Sequence, residues 1–185
     1  MYKVEDGILD AAEWIASPNF GKRPANQTIN LLVIHNISLP PDQFGGGHIE
    51  KFFLNKLEPD VHPYFKTIHD LQVSAHLLIE RTGRVIQFVN LNDRAWHAGL
   101  SCFKEQGNCN DFSIGIELEG TDTREYTDKQ YQQLTAVSLA ILEAYPDMTL
   151  DRIVGHSDIA PGRKTDPGES FDWSRYRRDL QGYRG

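Results

Sequence analysis

The 185-residue sequence contains few cysteines and has no low-complexity tract, no internal repeat and no long hydrophobic run. None of its apolar stretches approaches the roughly 18 residues that cross a bilayer, which argues against a membrane-spanning protein. The missing repeats exclude a solenoid, and a composition of 39% hydrophobic and 24% charged residues excludes a disordered chain. For this length the simplest expectation is one folded domain over residues 1–185.

The sequence also lacks signs of an oxidising or exported setting. Its two cysteines, Cys102 and Cys109, are expected to stay free thiols, as is usual in a reducing cytoplasm. Acidic residues follow Met1 where a secretory signal would carry a basic segment and then an apolar core. We therefore predict a cytoplasmic protein.

An excess of positive charge is absent as well, since the formal net charge is -7. Nonspecific binding to nucleic acid depends on clustered Lys and Arg, so nucleic acid is not an expected partner. If a small anionic substrate binds, local cations must receive it, and Arg163 with Lys164 are candidates beside the alternative of a solvated surface pair. No feature of the sequence indicates an obligate protein partner.

The apolar periodicities predict an α/β fold, with a mixed β-sheet flanked by helices in a single domain. A hairpin is expected from segments 75–79 and 85–89, and residues 113–119 alternate as a strand with a half-exposed acidic face. Further short strands are expected at 31–34 and 152–155. Helices are expected at 7–16, 48–54, 127–145 and 172–180.

One loop concentrates groups that can do chemistry. Residues 155–168 read GHSDIAPGRKTDPG and bring His156, two carboxylates and a lysine together after an apolar run. His35 follows another apolar run, 31–34, more than a hundred residues earlier. Side chains that directly follow short strands project into a common cleft at the strand ends. The two histidines therefore predict a metal site that folding assembles.

A third ligand is needed, because a catalytic zinc typically takes three protein ligands and leaves its fourth position open. Asp166 and Asp158 both qualify, and their spacing does not choose between them. A metal hydrolase also needs a base, for which Glu117 on the polar face of its strand is suited, with Glu119 on the same face. A solvated acid is the alternative for Glu117. Lys164 can stabilise an oxyanion.

Longer motifs go beyond these arguments. The segments are VIHNISLPP at 33–41, HPYF at 62–65, SAHLLI at 74–79, RAWHAG at 94–99, CNDFSIGIELEGTD at 109–122 and KTDPG at 164–168. Together they resemble the type 2 zinc amidase family, whose fold is that of the peptidoglycan-recognition proteins, over nearly the whole chain. The resemblance implies hydrolysis of the amide between N-acetylmuramic acid and L-alanine. It further implies small soluble 1,6-anhydro-muropeptides as substrates, in cytoplasmic peptidoglycan recycling.

The same resemblance implies roles for particular residues. It assigns Zn²⁺ to His35, His156 and Asp166, and it leaves Asp158 as a non-ligand. The metal site would then join one strand and one loop that are far apart along the chain.

The remaining roles concern catalysis and the substrate groove. The resemblance implies that Glu117 is the general base and that Lys164 stabilises the tetrahedral intermediate. Family members carry arginine where this chain has Gln72 and Asn108, so the resemblance does not extend to peptide-carboxylate contacts there. The expected substrate-groove residues are Asn36, Trp96 and His97.

Two other functions remain compatible with the motifs. One is a lytic amidase of the same fold that acts on polymeric cell wall. The other is a noncatalytic recognition module that keeps the groove and has lost zinc, which the presence of all three expected ligands opposes. Digestion of intact sacculi distinguishes the first, and zinc content distinguishes the second.

Overall fold

A six-stranded mixed sheet lies at the centre of the structure, a computed structural model that describes residues 2–182. The strands in these residues are Val4–Glu5 (β1), Ile8–Leu9 (β2), Glu13–Trp14 (β3), Phe20–Gly21 (β4), Leu31–Ile37 (β5), Leu77–Ile79 (β6), Val85–Gln87 (β7), Arg94–Ala95 (β8), Cys102–Phe103 (β9), Gln106–Gly107 (β10), Ser113–Glu119 (β11) and Ile153–Gly155 (β12). The main sheet has the order β12-β5-β11-β6-β7-β3. Strands β12, β5, β11 and β6 are parallel, and β6 with β7 forms the expected antiparallel hairpin. The predicted mixed α/β sheet is confirmed.

Four α-helices and three short 3₁₀ segments accompany the strands in the described residues. The 3₁₀ segments are Pro63–Thr67, Cys109–Asp111 and Leu150–Arg152, and the helices are His48–Phe53 (α1), Asp128–Ala144 (α2), His156–Ile159 (α3) and Trp173–Gly182 (α4). The capping box predicted at Thr127 and Gln130 is present at the start of α2. Within residues 2–182, no helix has the length and apolar character needed to cross a membrane.

Both faces of the sheet are covered. Alternate residues of β5 and β11, such as Ile34 and Ile116, pack under α2 and α4 in the largest apolar cluster. On the opposite face, a second cluster joins α1 to the β6–β7 hairpin, and a third contains Leu31 and Val33. The prediction of a half-exposed strand at 113–119 is therefore wrong, because even Glu119 is buried. Loops and short helices cover the face that alternation alone marks as polar.

The predicted helix at 7–16 is also wrong. Residues 8–9 and 13–14 form β2 and β3, and β3 pairs in parallel with β7. Gln87 holds this segment extended, since its side-chain oxygen accepts from Leu9 N at 2.8 Å and its backbone carbonyl accepts from Ile15 N at 3.0 Å. Hydrogen bonds to the sheet edge satisfy the backbone here, so the near-helical spacing of apolar residues was misleading.

The strand that carries His35 is longer than the sequence indicates. β5 continues through His35 to Ile37 because every one of its residues pairs with β11. His35 therefore lies inside the strand, on the face of Leu31 and Val33, rather than directly after it. In the parallel register His35 is the partner of Glu117. The sheet thus places both side chains next to each other on the face away from α2.

The capping box of α2 gives a direct stability test. Thr127 Oγ1 accepts from Gln130 N at 3.1 Å and donates to Arg81 O at 2.9 Å. We expect Thr127→Ala to lower the free energy of unfolding by about 1 kcal/mol, the usual loss for an N-cap hydroxyl, as measured by urea titration. Thr127→Ser keeps the hydroxyl and is the matched control. Equal losses in the two variants would contradict a capping role.

Candidate metal centre and active site

Three potential metal ligands converge at the carboxyl ends of β5 and β12. His35 Nδ1 lies 2.9 Å from His156 Nδ1, and each of these nitrogens lies 3.1 Å from Asp166 Oδ2. The side chains are 1%, 4% and 13% exposed, respectively. Among residues 2–182 they are the group of three metal-binding side chains whose ligand atoms meet within 4.8 Å. The arrangement joins the strand and the loop that the sequence linked.

Local structure explains how each ligand reaches this point. His35 is held by strand pairing, and His156 is the first residue of α3, directly after β12. The loop carrying Asp166 folds back because Ser157 N donates to Asp166 O at 3.0 Å. Asn36, next to His35, donates through its amide to Pro167 O at 3.1 Å. The ligands are therefore fixed by backbone contacts as well as by their own side chains.

The donor set fits zinc in spacing and protonation. Zinc bound at the usual distance of about 2.1 Å to nitrogen and oxygen separates its ligands by roughly 3.4 Å, close to the spacing observed here. Burial lowers the pKa of His35 to about 4, which keeps this imidazole neutral. Burial alone would raise the pKa of Asp166, but hydrogen bonds from His156 and His35 outweigh it and lower that pKa. A neutral imidazole and an ionised carboxylate are the forms that bind metal.

The rival carboxylate has a different role. Asp158 is exposed, and its Oδ2 accepts from Gly155 N at 2.7 Å at the start of α3. This bond directs the carboxylate to the backbone of its own helix. The geometry therefore brings Asp166, and not Asp158, to the two histidines.

The carboxylate of Glu117 lies beside the three candidate metal ligands, and one of its oxygens lacks a hydrogen bond within residues 2–182. Its Oε2 is buried and makes no hydrogen bond to the described residues. Burial, followed by the negative charge of Asp166, raises the pKa of Glu117 well above its ordinary value, and the charge of Lys164 opposes the shift. A raised pKa makes a carboxylate a stronger base, and the protonated group can then return the proton, which is what a general base that later acts as an acid requires.

Glu119, two residues further along the same face, is bonded on both oxygens. Its Oε1 accepts from Gly45 N at 2.5 Å and its Oε2 from Arg81 N at 3.1 Å. These bonds attach the loop before α1 and the turn after β6 to the end of β11. The structure thus separates two glutamates that alternation treats alike: one supports loops and the other faces the metal ligands.

The two cations of the loop differ in a similar way. Arg163 Nη2 donates to Ala98 O and Leu100 O, both at 2.7 Å, which commits it to the backbone. Lys164 is exposed and borders the cavity that contains Glu117. Its charge acts on both Glu117 and His35. Of the pair, Lys164 is the one that borders the cavity beside Glu117.

An open cavity of about 400 Å³ begins at these residues. Its inner end is bordered by Glu117, His156, Lys164 and Asp166. Its apolar wall was not expected from the sequence and is formed by Leu39, Phe52, Phe53, Tyr64, Ile68, Leu71 and Val73. The HPYF motif at 62–65 contains Tyr64, but the 60–70 segment has no regular periodicity that would indicate a groove. A large apolar wall beside polar groups is typical of a site for a small organic substrate.

The three expected substrate residues all border this cavity, with different commitments. Asn36 uses its amide nitrogen to hold Asp122 Oδ1 at 2.8 Å and Pro167 O. His97 Nδ1 lies 2.8 Å from His35 Nε2. Trp96 is partly exposed along the groove. The structure therefore leaves Trp96 the freest of the three to contact a ligand.

Comparison with known proteins identifies the family of this chain. The family model for N-acetylmuramoyl-L-alanine amidases matches residues 25–169, and the chain belongs to that family. The chain is 57% identical over 173 residues to the 1,6-anhydro-N-acetylmuramyl-L-alanine amidase AmpD of Haemophilus influenzae, with 94% of each chain covered.

Solved structures give the same relationship. A crystal structure of a selenomethionine derivative of AmpD has a TM-score of 0.93 at 51% identity and covers 96% of this chain and 98% of that chain. The structure of AmpDh3 from Pseudomonas aeruginosa in complex with anhydromuramic pentapeptide has a TM-score of 0.62 at 30% identity, covering 93% of this chain and 66% of that chain. The predicted fold class and family are thus confirmed.

Because Glu117 lacks the hydrogen bonds that Glu119 makes, we expect glutamine substitutions at the two positions to have opposite effects on the free energy of unfolding. A raised pKa means that the folded state without metal keeps a proton that the unfolded chain releases above its ordinary pKa of about 4.3. The wild type therefore loses stability as the pH rises from that value toward the folded-state pKa. We expect Glu117→Gln to stabilise the metal-free protein at pH 7 relative to wild type, with the gain diminishing toward pH 4.

Glu119→Gln is the matched control on the same strand. Its amide nitrogen would face a backbone N–H that now donates to a carboxylate oxygen, so we expect a loss of about 1–3 kcal/mol. Urea titrations in the presence of a chelator, from pH 4 to pH 8, measure both effects. A destabilised Glu117→Gln variant at pH 7 would contradict the assignment of Glu117 as an unpaired carboxylate.

Proposed function

We propose that the protein is a zinc-dependent amidase that cleaves the bond between 1,6-anhydro-N-acetylmuramic acid and the L-alanine of the stem peptide, as in peptidoglycan recycling. The observation that carries this proposal is the buried His35–His156–Asp166 group beside the unpaired Glu117 at the end of an open cavity. Membership of the amidase family gives the bond class, and similarity to AmpD over 94% of the chain supports the anhydro sugar.

Zinc held by His35, His156 and Asp166 would polarise the amide carbonyl and bring the pKa of a water molecule toward neutrality. The protein's own groups handle the protons. Glu117 removes a proton from the attacking water and returns it to the departing nitrogen of L-alanine. Water is thereby added across the C–N bond, which leaves a carboxylate on the lactyl group and an ammonium group on the peptide.

Lys164 stabilises charge that develops on the carbonyl oxygen. Its ammonium group borders the same cavity and acts electrostatically on Glu117 and His35. A cation placed where negative charge develops stabilises the transition state more than the neutral amide, and it therefore lowers the barrier. The same lysine favours the ionised form of Glu117, the form that a base requires.

Substrate recognition combines the apolar wall with the polar inner end of the cavity. Trp96 and the exposed surfaces of Tyr64 and Leu71 offer an apolar surface to the sugar or peptide. A small soluble fragment suits a cavity of this size better than a polymeric strand does. Three expectations stay predictions: a single amidase domain over 1–185, a cytoplasmic setting, and the absence of an obligate protein or nucleic-acid partner. Cell fractionation would examine the location, and co-purification would examine the partners.

The assignment of Glu117 is tested by separating metal binding from turnover. We expect Glu117→Ala to retain about one zinc per chain, since Glu117 is not a ligand, while turnover falls by roughly two to four orders of magnitude. Metal analysis and chromatographic detection of released peptide measure the two quantities. Glu143→Ala, an exposed change on α2, should leave both unchanged. Loss of zinc in Glu117→Ala would refute its role as a base.

The metal and the substrate are tested together. We expect a chelator to abolish hydrolysis and added zinc to restore it, because the reaction needs the metal and the three proposed ligands can bind it again. We further expect faster cleavage of anhydro-muropeptides than of reducing muropeptides or intact sacculi. Comparable digestion of sacculi would favour a lytic amidase instead. An empty metal site with tight fragment binding would favour a recognition module.

A further inference from the structure

The dipeptide His97-Ala98 contacts both histidine ligands at their Nε2 atoms, on the side of each ring away from Asp166. His97 Nδ1 lies 2.8 Å from His35 Nε2, and Ala98 O lies 3.0 Å from His156 Nε2. The Nδ1 atoms of His35 and His156 face Asp166. When these two nitrogens bind zinc, the other ring nitrogen of each carries the hydrogen and donates it to this dipeptide. Two adjacent residues therefore set the ring orientation of both ligands.

Both ring nitrogens of His97 are used in this arrangement. Nδ1 lies 2.8 Å from His35 Nε2, and Nε2 lies 3.1 Å from Ser113 Oγ. With zinc on His35 Nδ1, His97 Nδ1 accepts from His35 and His97 Nε2 donates to Ser113. The ring also lies directly on Gly115, where an added Cβ would stand 2.5 Å from His97 Cγ. His97 is thus seated on β11 with no free polar atom for a substrate, although its ring borders the cavity.

The Ala98 carbonyl is held from a second direction. Arg163 Nη2 donates to Ala98 O at 2.7 Å, so this oxygen accepts from the guanidinium and from His156. Arg163 belongs to the same loop as Asp166. The carbonyl that orients one ligand is therefore tied to the loop that supplies another.

Asn110 holds the dipeptide itself. This buried residue of the 3₁₀ segment Cys109–Asp111 accepts with its Oδ1 from His97 N at 3.1 Å and from Ala98 N at 2.8 Å. Its own backbone carbonyl accepts from Arg23 Nη1 at 3.0 Å. A single side-chain oxygen thereby fixes two consecutive peptide units, which limits rotation of the segment that contacts His35 and His156.

We propose that His97 and Asn110 are positioning residues of the metal centre, and that His97 acts on His35 rather than on the substrate. This inference rests on the proposed zinc site. Groups that hydrogen-bond metal ligands typically change metal affinity by about 10- to 100-fold when they are lost. The role predicted for His97 from sequence, a contact with substrate, gives a different pattern in which zinc affinity is unchanged.

Two substitutions of similar shape isolate the hydrogen bond. His97→Asn can keep an acceptor near the position of Nδ1, whereas His97→Leu removes it, and both lose the ring contact with Gly115. We expect His97→Leu to weaken zinc binding by about 10- to 100-fold and His97→Asn by much less, as measured by competition with a chromophoric chelator. At saturating zinc, KM should stay near wild type in both. Equal zinc affinities with a raised KM would overturn the proposal.

Asn110 provides a second measurement. Asn110→Asp keeps a side-chain oxygen for the two N–H groups, whereas Asn110→Ala loses it, and circular dichroism first establishes that each variant folds. We expect weaker zinc binding in Asn110→Ala and substantial rescue in Asn110→Asp. Folded variants that both bind zinc like wild type would overturn the role of Asn110. If Asn110→Ala does not fold, the His97 pair still decides the positioning role.

Measurements on the wild-type protein distinguish failure of the proposed function from failure of the positioning role. Absence of zinc from wild-type protein purified without chelator would overturn the proposed zinc-dependent function, and with it the positioning role. Wild-type protein that binds zinc and hydrolyses anhydro-muropeptides, together with unchanged affinity in His97→Leu, would overturn only the positioning role.

Discussion

The parallel pairing of β5 with β11 is the constraint on which the rest of the structure depends. Seven residue pairs join the two strands, from Ser113–Leu31 to Glu119–Ile37. Because side chains alternate across a sheet, this register directs Ile34 and Ile116 into the core under α2 and turns His35 and Glu117 together to the other face. A shift of one residue in either strand would turn the polar group of that strand into the apolar core. The same strand register therefore determines both the packing of the core and the geometry of the site.

The site carries a cost in stability that its surroundings offset. His35 is buried, and His97 and Glu117 are half-buried. Desolvation lowers the pKa of both histidines and raises the pKa of Glu117, which favours the neutral form of each group. The imidazoles are stabilised by a continuous series of hydrogen bonds from Asp166 through His35 and His97 to Ser113. Glu117 Oε2 has no such partner among the described residues, which is costly for folding and is consistent with the proton transfer proposed for this group.

Much of the architecture follows from local patterns. The hairpin at β6–β7, the capping box at Thr127 and the mixed sheet were predicted because turn chemistry and apolar spacing specify them over a few residues. The helix expected at 7–16 was wrong because contacts with Gln87, distant in sequence, decide its conformation. The acidic face of 113–119 was expected to be half exposed, and covering segments from elsewhere in the chain bury it. Errors fall where long-range contacts override local periodicity.

By itself the sequence determined the inventory of the site: two histidines after apolar runs, a loop with acids and a lysine, and motifs shared with the type 2 amidases. Tertiary structure decided which acids meet the histidines, because Asp158 bonds to its own helix while Asp166 folds back to them. It also left Glu117 Oε2 without a hydrogen bond in the described part of the chain while Glu119 bonds to backbone, and it placed His97 within hydrogen-bond distance of His35. Spacing along a chain limits which residues can meet, but hydrogen bonds between distant segments select the pairs that do.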